Sequence, residues 1–274
     1  MEKTIEAFFF EPDYLSDIAA RYTAGYGTAK PFPHVVIDNF LPEAVAERIL
    51  DEFPSPDADD WFRWKQGTEQ KLQTTAEFGI GPIARQVLNQ FNSSAVIDFL
   101  ETLTGVEHLV PDPHYEGGGL HQIERGGFLK VHADFNHHPR LDLERRLNLL
   151  LYLNRDWRDE WGGHLELWDI DMTAAVKRIA PIFNRCVVFS TTSFAYHGHP
   201  DPLNCPEGVT RKSMALYYYT KDRPREELMS PHSTRFQRRP GEELNTRRSS
   251  KETLKRFVPP IMLDVTRGRR KQTP

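Results

Sequence analysis

His132 and Asp134, in Phe128-Leu129-Lys130-Val131-His132-Ala133-Asp134-Phe135, stand two residues apart in a β-rich stretch. Alternate side chains of an extended strand share a face, so the imidazole and the carboxylate converge on one point. A third donor is offered by His197, in Ser193-Phe194-Ala195-Tyr196-His197-Gly198-His199-Pro200, which follows the apolar run Cys186-Val187-Val188-Phe189. Two histidines and one carboxylate on one face of an octahedron leave three positions open, a donor set suited to ferrous iron. Taken singly, each has a plainer explanation: an exposed strand edge for the His-x-Asp pair, a hydrogen-bonded loop for His197. Their ordered conjunction favours the metal site. His199, His137 and His138 read as loop or supporting residues rather than ligands.

Downstream, Thr210-Arg211-Lys212-Ser213-Met214-Ala215-Leu216-Tyr217-Tyr218-Tyr219 is another β-rich run, in which Arg211 and Ser213 share a face. A guanidinium fork beside a hydroxyl forms a carboxylate receptor, because the fork matches a carboxylate bidentately. Upstream, Arg146-Leu147-Asn148-Leu149-Leu150-Leu151-Tyr152-Leu153-Asn154 is a near-continuous apolar strand with Tyr152 as its polar handle.

These motifs, in this order, resemble the prolyl-4-hydroxylase-like branch of the Fe(II)/2-oxoglutarate-dependent oxygenases, over roughly residues 31–220. His132, Asp134 and His197 stand where that family has its metal triad. Arg211-Lys212-Ser213 stands where it has the Arg-x-Ser that holds the distal carboxylate of 2-oxoglutarate, with Tyr152 sharing that carboxylate. Asn148 falls at a pocket-lining position of the same strand as Tyr152. Leu151 to Trp157 and Gly162-Gly163-His164-Leu165-Glu166-Leu167 resemble the family's strand, loop and Gly-Gly hairpin. Two departures stand out. Thirteen residues separate His197 from Arg211, including a loop over 201–208, where about ten are usual in the family. Gln122 occupies a position near the cosubstrate where relatives often carry a tyrosine.

The resemblance implies a dioxygenase that hydroxylates an unactivated C–H bond and releases succinate and CO2, with Fe(II), 2-oxoglutarate and O2 as reagents and ascorbate as an auxiliary reductant. Related halogenases carry a small residue in place of the carboxylate, so Asp134 favours hydroxylation. The substrate first implied is a prolyl residue of a protein or peptide; a free amino acid, a natural-product intermediate or a sugar stays open. Arg145, Asn136 and Tyr217 are candidate substrate contacts. A non-catalytic jelly-roll binding protein and a cupin-like metalloenzyme without 2-oxoglutarate are the rival readings. The intact triad opposes the first, and Arg211 with Ser213 opposes the second.

At 274 residues and 11% aromatic content the chain can bury a sizeable core. No apolar run is long enough for a membrane span, and the first residues lack a signal-peptide layout. Two cysteines, Cys186 and Cys205, do not suggest a disulfide framework, so a reducing cytoplasm is expected. The net charge of −4 hides an asymmetry, net −12 over residues 1–220 against +8 over 221–274. A solvated basic tail is expected there, with nucleic acid unlikely as a partner. A peptide or small-molecule substrate is the expected partner; a dimer stays open.

The elements that position these residues follow from periodicity. Residues 1–30 read as a lead-in with a short helix between Tyr14 and Tyr26. Residues 31–41 read as a strand, followed by a helix from Pro42. Residues 54–82 read as an irregular loop in which Trp61, Phe62 and Trp64 alternate with Arg63 and Lys65. Helical patterns follow at 83–91 and 95–103, ended by Gly105. Strands are expected at about 119–124, 128–134, 146–153, 164–168, 176–180, 186–190 and 210–219. The fold class is therefore mainly β with flanking helices (α+β), a double-stranded β-helix or jelly roll with the N-terminal helices packed outside the sheet. Residues 31–220 form the expected oxygenase domain. Residues 221–274 are the basic extension, with a short helix expected near 251–256.

Overall fold

The computed structural model describes residues 8–74 and 79–243. In chain order the elements are α1 (Pro12–Tyr26), β1 (His34–Asp38), α2 (Glu43–Asp51), β2 (Trp61–Lys65), β3 (Glu69–Thr74), α3 (Pro82–Phe91) and α4 (Ser94–Thr104). Then follow β4 (Val110–Pro111), β5 (Gly119–Ile123), β6 (Phe128–Ala133), β7 (His137–His138), β8 (Leu143–Tyr152), β9 (Leu165–Trp168) and β10 (Ala175–Ile179). The last are β11 (Arg185–Ser190), β12 (His197–His199), β13 (Arg211–Thr220) and β14 (Arg235–Phe236). The strands join in one antiparallel path, β1-β11-β8-β13-β5-β3-β6-β12-β9-β10, curled on itself as the expected jelly roll.

Alternation along the central strands makes two compartments. On β8, Leu147, Leu149 and Leu151 are fully buried and pack with Ile83, Val87 and Leu88 of α3 and Val96 and Leu100 of α4. Asn148, Leu150 and Tyr152 face the other way, into the hollow of the roll. On β13 the same rule sends Met214, Leu216 and Tyr218 to the helical side and Arg211, Ser213, Ala215 and Tyr217 into the hollow. The apolar side supplies the driving force, since truncating one such leucine to alanine typically costs about 2–5 kcal/mol. Helix α1 contributes Leu15, Ile18 and Tyr26 to the same core, and Gly105 ends α4 in the left-handed region at φ 71°.

Two expectations are overturned. Residues 61–74 form a hairpin rather than an irregular loop: β2 pairs with β3 from Trp61↔Thr74 to Lys65↔Gln70, and β3 in turn pairs with both β5 and β6. Its alternation of aromatic and basic residues is the two-faced pattern of a strand, with Trp61 buried and Phe62 exposed. Second, β structure does not stop at Lys221. β14 adds to β6, placing Arg235 opposite Ala133 and Phe236 opposite His132. The helix expected near 251–256 lies outside the described residues.

Candidate metal centre

β6 and β12 lie side by side with His132 opposite His197, and Asp134 follows directly at the end of β6. His132 Nε2 is 3.4 Å from Asp134 Oδ1, and His197 Nε2 is 3.4 Å from Asp134 Oδ2. One donor atom from each of the three lies within 4.8 Å of the others, the only such cluster among the described residues. Each imidazole is turned by its own backbone: His132 Nδ1–H donates to Lys130 O at 2.8 Å and His197 Nδ1–H to Ala195 O at 2.9 Å. A carbonyl only accepts, so both Nε2 lone pairs are left for the common point.

Asp134 is held from behind. Arg145 Nη2 is 3.0 Å from its Oδ2, and Asn148 Nδ2 donates to the same oxygen at 2.8 Å. Asn148 Oδ1 accepts from Arg145 Nε and Nη2 at 3.0 and 2.7 Å, locking the pair together. The guanidinium lies between aromatic rings, 3.4 Å from the Tyr217 centroid and 4.4 Å from that of Phe135. Burial works to raise the Asp134 carboxyl, but Arg145, then His197 and His132, outweigh it and hold it well below the usual carboxylate range. His197 is pushed down to about 4, chiefly by burial, with Asp134 pulling the other way. The site is therefore set with an ionised carboxylate and a neutral His197 imidazole, the protonation state a divalent cation requires.

Across the hollow stands Arg211, 5% exposed. Its Nε donates to Gly163 O at 2.8 Å and its Nη2 to Tyr152 Oη at 3.3 Å, and no carboxylate of the described residues pairs with it. Gly163 has φ +71°, and a Cβ there would sit 2.6 Å from Leu203 and 3.1 Å from Arg211, so glycine is what lets the loop close on the guanidinium. The long 201–208 loop does the closing: Leu203 and Cys205 are buried against Ile123, Trp157 and Trp161. None of its residues lines the cavity outside the triad. Arg211, Ser213, Tyr152 and Asn148 share one cavity with His132, Asp134 and His197.

Two expected contacts, Gln122 and Asn136, sit elsewhere. Gln122 points to the opposite face of β5, where its Nε2 donates to Thr210 Oγ1 at 2.7 Å; His121, its neighbour in sequence, faces the cavity instead. Asn136 is buried outside the hollow and anchors the chain after β13: its Nδ2 donates to Met229 O and Ser230 O, and its Oδ1 accepts from His232 N at 2.7 Å. Arg145 borders the outer cavity but spends its charge on Asp134. Tyr217 lines both the inner and the outer cavity, with its hydroxyl donating to Gly117 O at 2.9 Å.

Lys71, His121 and His199 line the cavity and were not singled out for it. His199 follows His197 by two residues, the period that had picked out His132 and Asp134, so its placement could have been read from spacing. Lys71 could not, because residues 54–82 read as an irregular loop. Outside the triad a cavity of about 290 Å³ is bordered by Trp64, Lys71, Gln73, Glu116, Tyr217 and Thr234. Through Trp64, Gln73, Glu116 and Gly117 it continues into a cleft lined by Phe62, His114 and Tyr115.

An iron-type triad facing a buried arginine across the hollow of a jelly roll defines a class. Residues 118–219, which hold β5 to β13 up to Tyr219, match the family model described as the 2OG-Fe(II) oxygenase superfamily. This stretch is a 2OG-Fe(II) oxygenase domain, and the protein is a 2-oxoglutarate-dependent oxygenase using Fe(II), 2-oxoglutarate and O2. A prolyl hydroxylase from Trichoplax adhaerens, solved in complex with a hypoxia inducible factor oxygen degradation domain peptide fragment, is similar at TM-score 0.52 and 17% identity, over 77% of this chain and 91% of that one. A prolyl 4-hydroxylase from Phytophthora capsici is similar at TM-score 0.52 and 19% identity, over 79% of this chain and 68% of the other. At such identities the likeness is one of fold. A search of curated proteins found no match.

Proposed function

We propose that this protein hydroxylates an unactivated C–H bond, with His132, Asp134 and His197 as the iron ligands and Arg211, Ser213 and Tyr152 as the receptor for the distal carboxylate of 2-oxoglutarate. The observation that carries the assignment is Arg211, a buried guanidinium with no carboxylate of its own, aimed at the cavity that the triad shares. A buried cation in that state calls for an anionic ligand. Iron with 2-oxoglutarate and O2 supplies the oxidising power when bound, decarboxylation to succinate and CO2 being coupled to oxygen insertion. The chain's own residues supply position and exclusion: the two Nδ1–H bonds aim the histidines, Arg145 and Asn148 fix the carboxylate, and Leu203 with Gly163 seals the far end from water.

For the substrate we infer a prolyl residue of a protein or peptide. The outer cavity supports this reading, because it runs on into the Phe62 cleft as an open groove rather than closing around one small molecule. Residues 31–220 are assigned as the oxygenase domain, with α1 and residues 221–243 packed on it. No described helix is long and apolar enough to cross a membrane. Both cysteines are unpaired, which supports a reducing, cytoplasmic setting.

The test is anaerobic titration of the Fe(II)-loaded protein with 2-oxoglutarate, followed by succinate release in the presence of prolyl peptides, free amino acids and sugars. A visible charge-transfer band that weakens in Arg211→Ala supports the assignment. Iron binding without a band discards 2-oxoglutarate, and turnover on free amino acids or sugars alone replaces the peptide reading.

A further inference from the structure

His199 is 4% exposed, lines the cavity shared by the triad and Arg211, and has no hydrogen-bond partner on either ring nitrogen. A buried polar group left unmatched is destabilising, and native folds rarely tolerate it without a reason. The other imidazoles of the cavity are all engaged: His132 and His197 on backbone carbonyls, and His121 Nε2 on Gly117 O at 3.1 Å. His199 alone has an N–H to give.

Its position says to what. β12 runs antiparallel to β9, with His197 opposite Leu167 and Gly198 opposite Glu166, so each step beyond His197 moves toward Leu165 and the Gly163 loop that carries Arg211's partner carbonyl. His199 therefore stands toward the Arg211 end, away from the metal point. Arg211 and Lys71 line the same cavity as His199. Two cations facing one space call for an anion there.

We propose that His199 is a cosubstrate-positioning residue whose N–H hydrogen-bonds the distal carboxylate of the bound keto acid, beside Arg211 and Ser213. This rests on the 2-oxoglutarate reading above. It assigns to the carboxylate cup a donor that the Arg-x-Ser pattern does not contain, and it makes keto-acid selection partly a property of β12.

Calorimetric titration of the Mn(II)-loaded full-length protein under anaerobic conditions tests it, with 2-oxoglutarate and with 2-oxobutyrate, which keeps the metal-chelating end but lacks the distal carboxylate. His199→Leu should weaken 2-oxoglutarate by roughly tenfold or more, the worth of one hydrogen bond to a charged group. It should leave 2-oxobutyrate unchanged, and His199→Gln, which restores an N–H, should recover most of the loss. Should the leucine variant not fold, His199→Met serves for the same comparison. Equal loss for both keto acids, no loss for either, or no rescue by glutamine overturns the assignment. If wild type binds Mn(II) but not 2-oxoglutarate, the cosubstrate reading itself fails, a result distinct from failure of the His199 role.

Discussion

Arg145 Nη2 sits 3.0 Å from Asp134 Oδ2, both side chains largely withdrawn from water. The triad carboxylate thus has a permanent counter-ion, on the same oxygen that His197 approaches, and the metal-free protein does not leave a negative charge buried alone. Removing one partner of such a pair costs about 3–5 kcal/mol. Arg145→Met should destabilise the metal-free protein by that order and the metal-loaded protein by clearly less, because the cation takes over part of the neutralisation. Urea unfolding with and without Mn(II) measures both; identical losses in the two states would show that the ion pair and the metal do not act on the same charge.

His132→Ala and His197→Ala should each abolish tight iron binding and turnover. Both should keep the fold, since neither ring belongs to the leucine-rich core between sheet and helices. Metal content after dialysis and far-UV circular dichroism give the two readouts. Asp134→Asn is the better probe of the third ligand than alanine, because it keeps a partner for Asn148 and Arg145. A variant at any of the three with wild-type turnover would dismiss the triad.

Arg211→Ala should act mainly on the 2-oxoglutarate requirement, since a buried carboxylate losing its charged partner costs about 2–5 kcal/mol. Half-saturation by 2-oxoglutarate should rise by one to two orders of magnitude or more, while iron affinity stays put. An unchanged requirement would move the receptor away from β13.

The metal-free fold should weaken on acidification in a defined window. Burial holds His197 down to about 4 and His121 down to about 3, against an ordinary value of 6.5. Below pH 6.5 the unfolded chain therefore takes up protons that the folded chain refuses, and stability falls as pH drops from 6.5 toward 4. Each such proton contributes about 1.4 kcal/mol per pH unit. Urea midpoints collected between pH 8 and 4.5 should be flat above 7 and decline below 6.5 with a slope of at least one proton. A flat profile down to pH 5 would mean these imidazoles are not kept neutral.

Truncation after Leu228 should damage the site although every proposed ligand is retained. The lost segment includes Phe236, whose ring is 5.6 Å from that of His132, and His232, which Asn136 and Ser193 hold. Lower iron affinity with a nearly unchanged helical signal is the expected result, checked by metal titration and circular dichroism. Wild-type affinity would reduce this segment to decoration.

Much of the architecture is legible in the chain itself. The β8 and β13 runs declared their two faces through residues such as Asn148, Tyr152, Arg211 and Ser213, because a side-chain period of two needs only local information. The β2–β3 hairpin escaped notice because Lys71 and Gln73 are polar on a face that meets a polar hollow, so hydrophobic alternation was weak. Asn136 and Gln122 show a different limit. Period and proximity to a motif say which residues are near the site, whereas the way a given side chain points depends on the strand's facing and on what returns to meet it, here residues 229–232 for Asn136 and Thr210 for Gln122. The same holds for Arg145, a candidate substrate contact by its charge, whose fork is occupied by Asp134 while its side chain borders the outer cavity.

The pairing of β14 with β6 has a consequence for synthesis on the ribosome. His132, Asp134, His197 and Arg211 all emerge well before Arg235 and Phe236, so a nascent chain carries the whole proposed donor set while the His132–Ala133 edge of β6 is still bare. Until the last piece of sheet arrives, that edge offers unpaired N–H and C=O groups to any neighbouring chain. The donors are thus in place before the edge beside them is covered, and protection from misassembly arrives last.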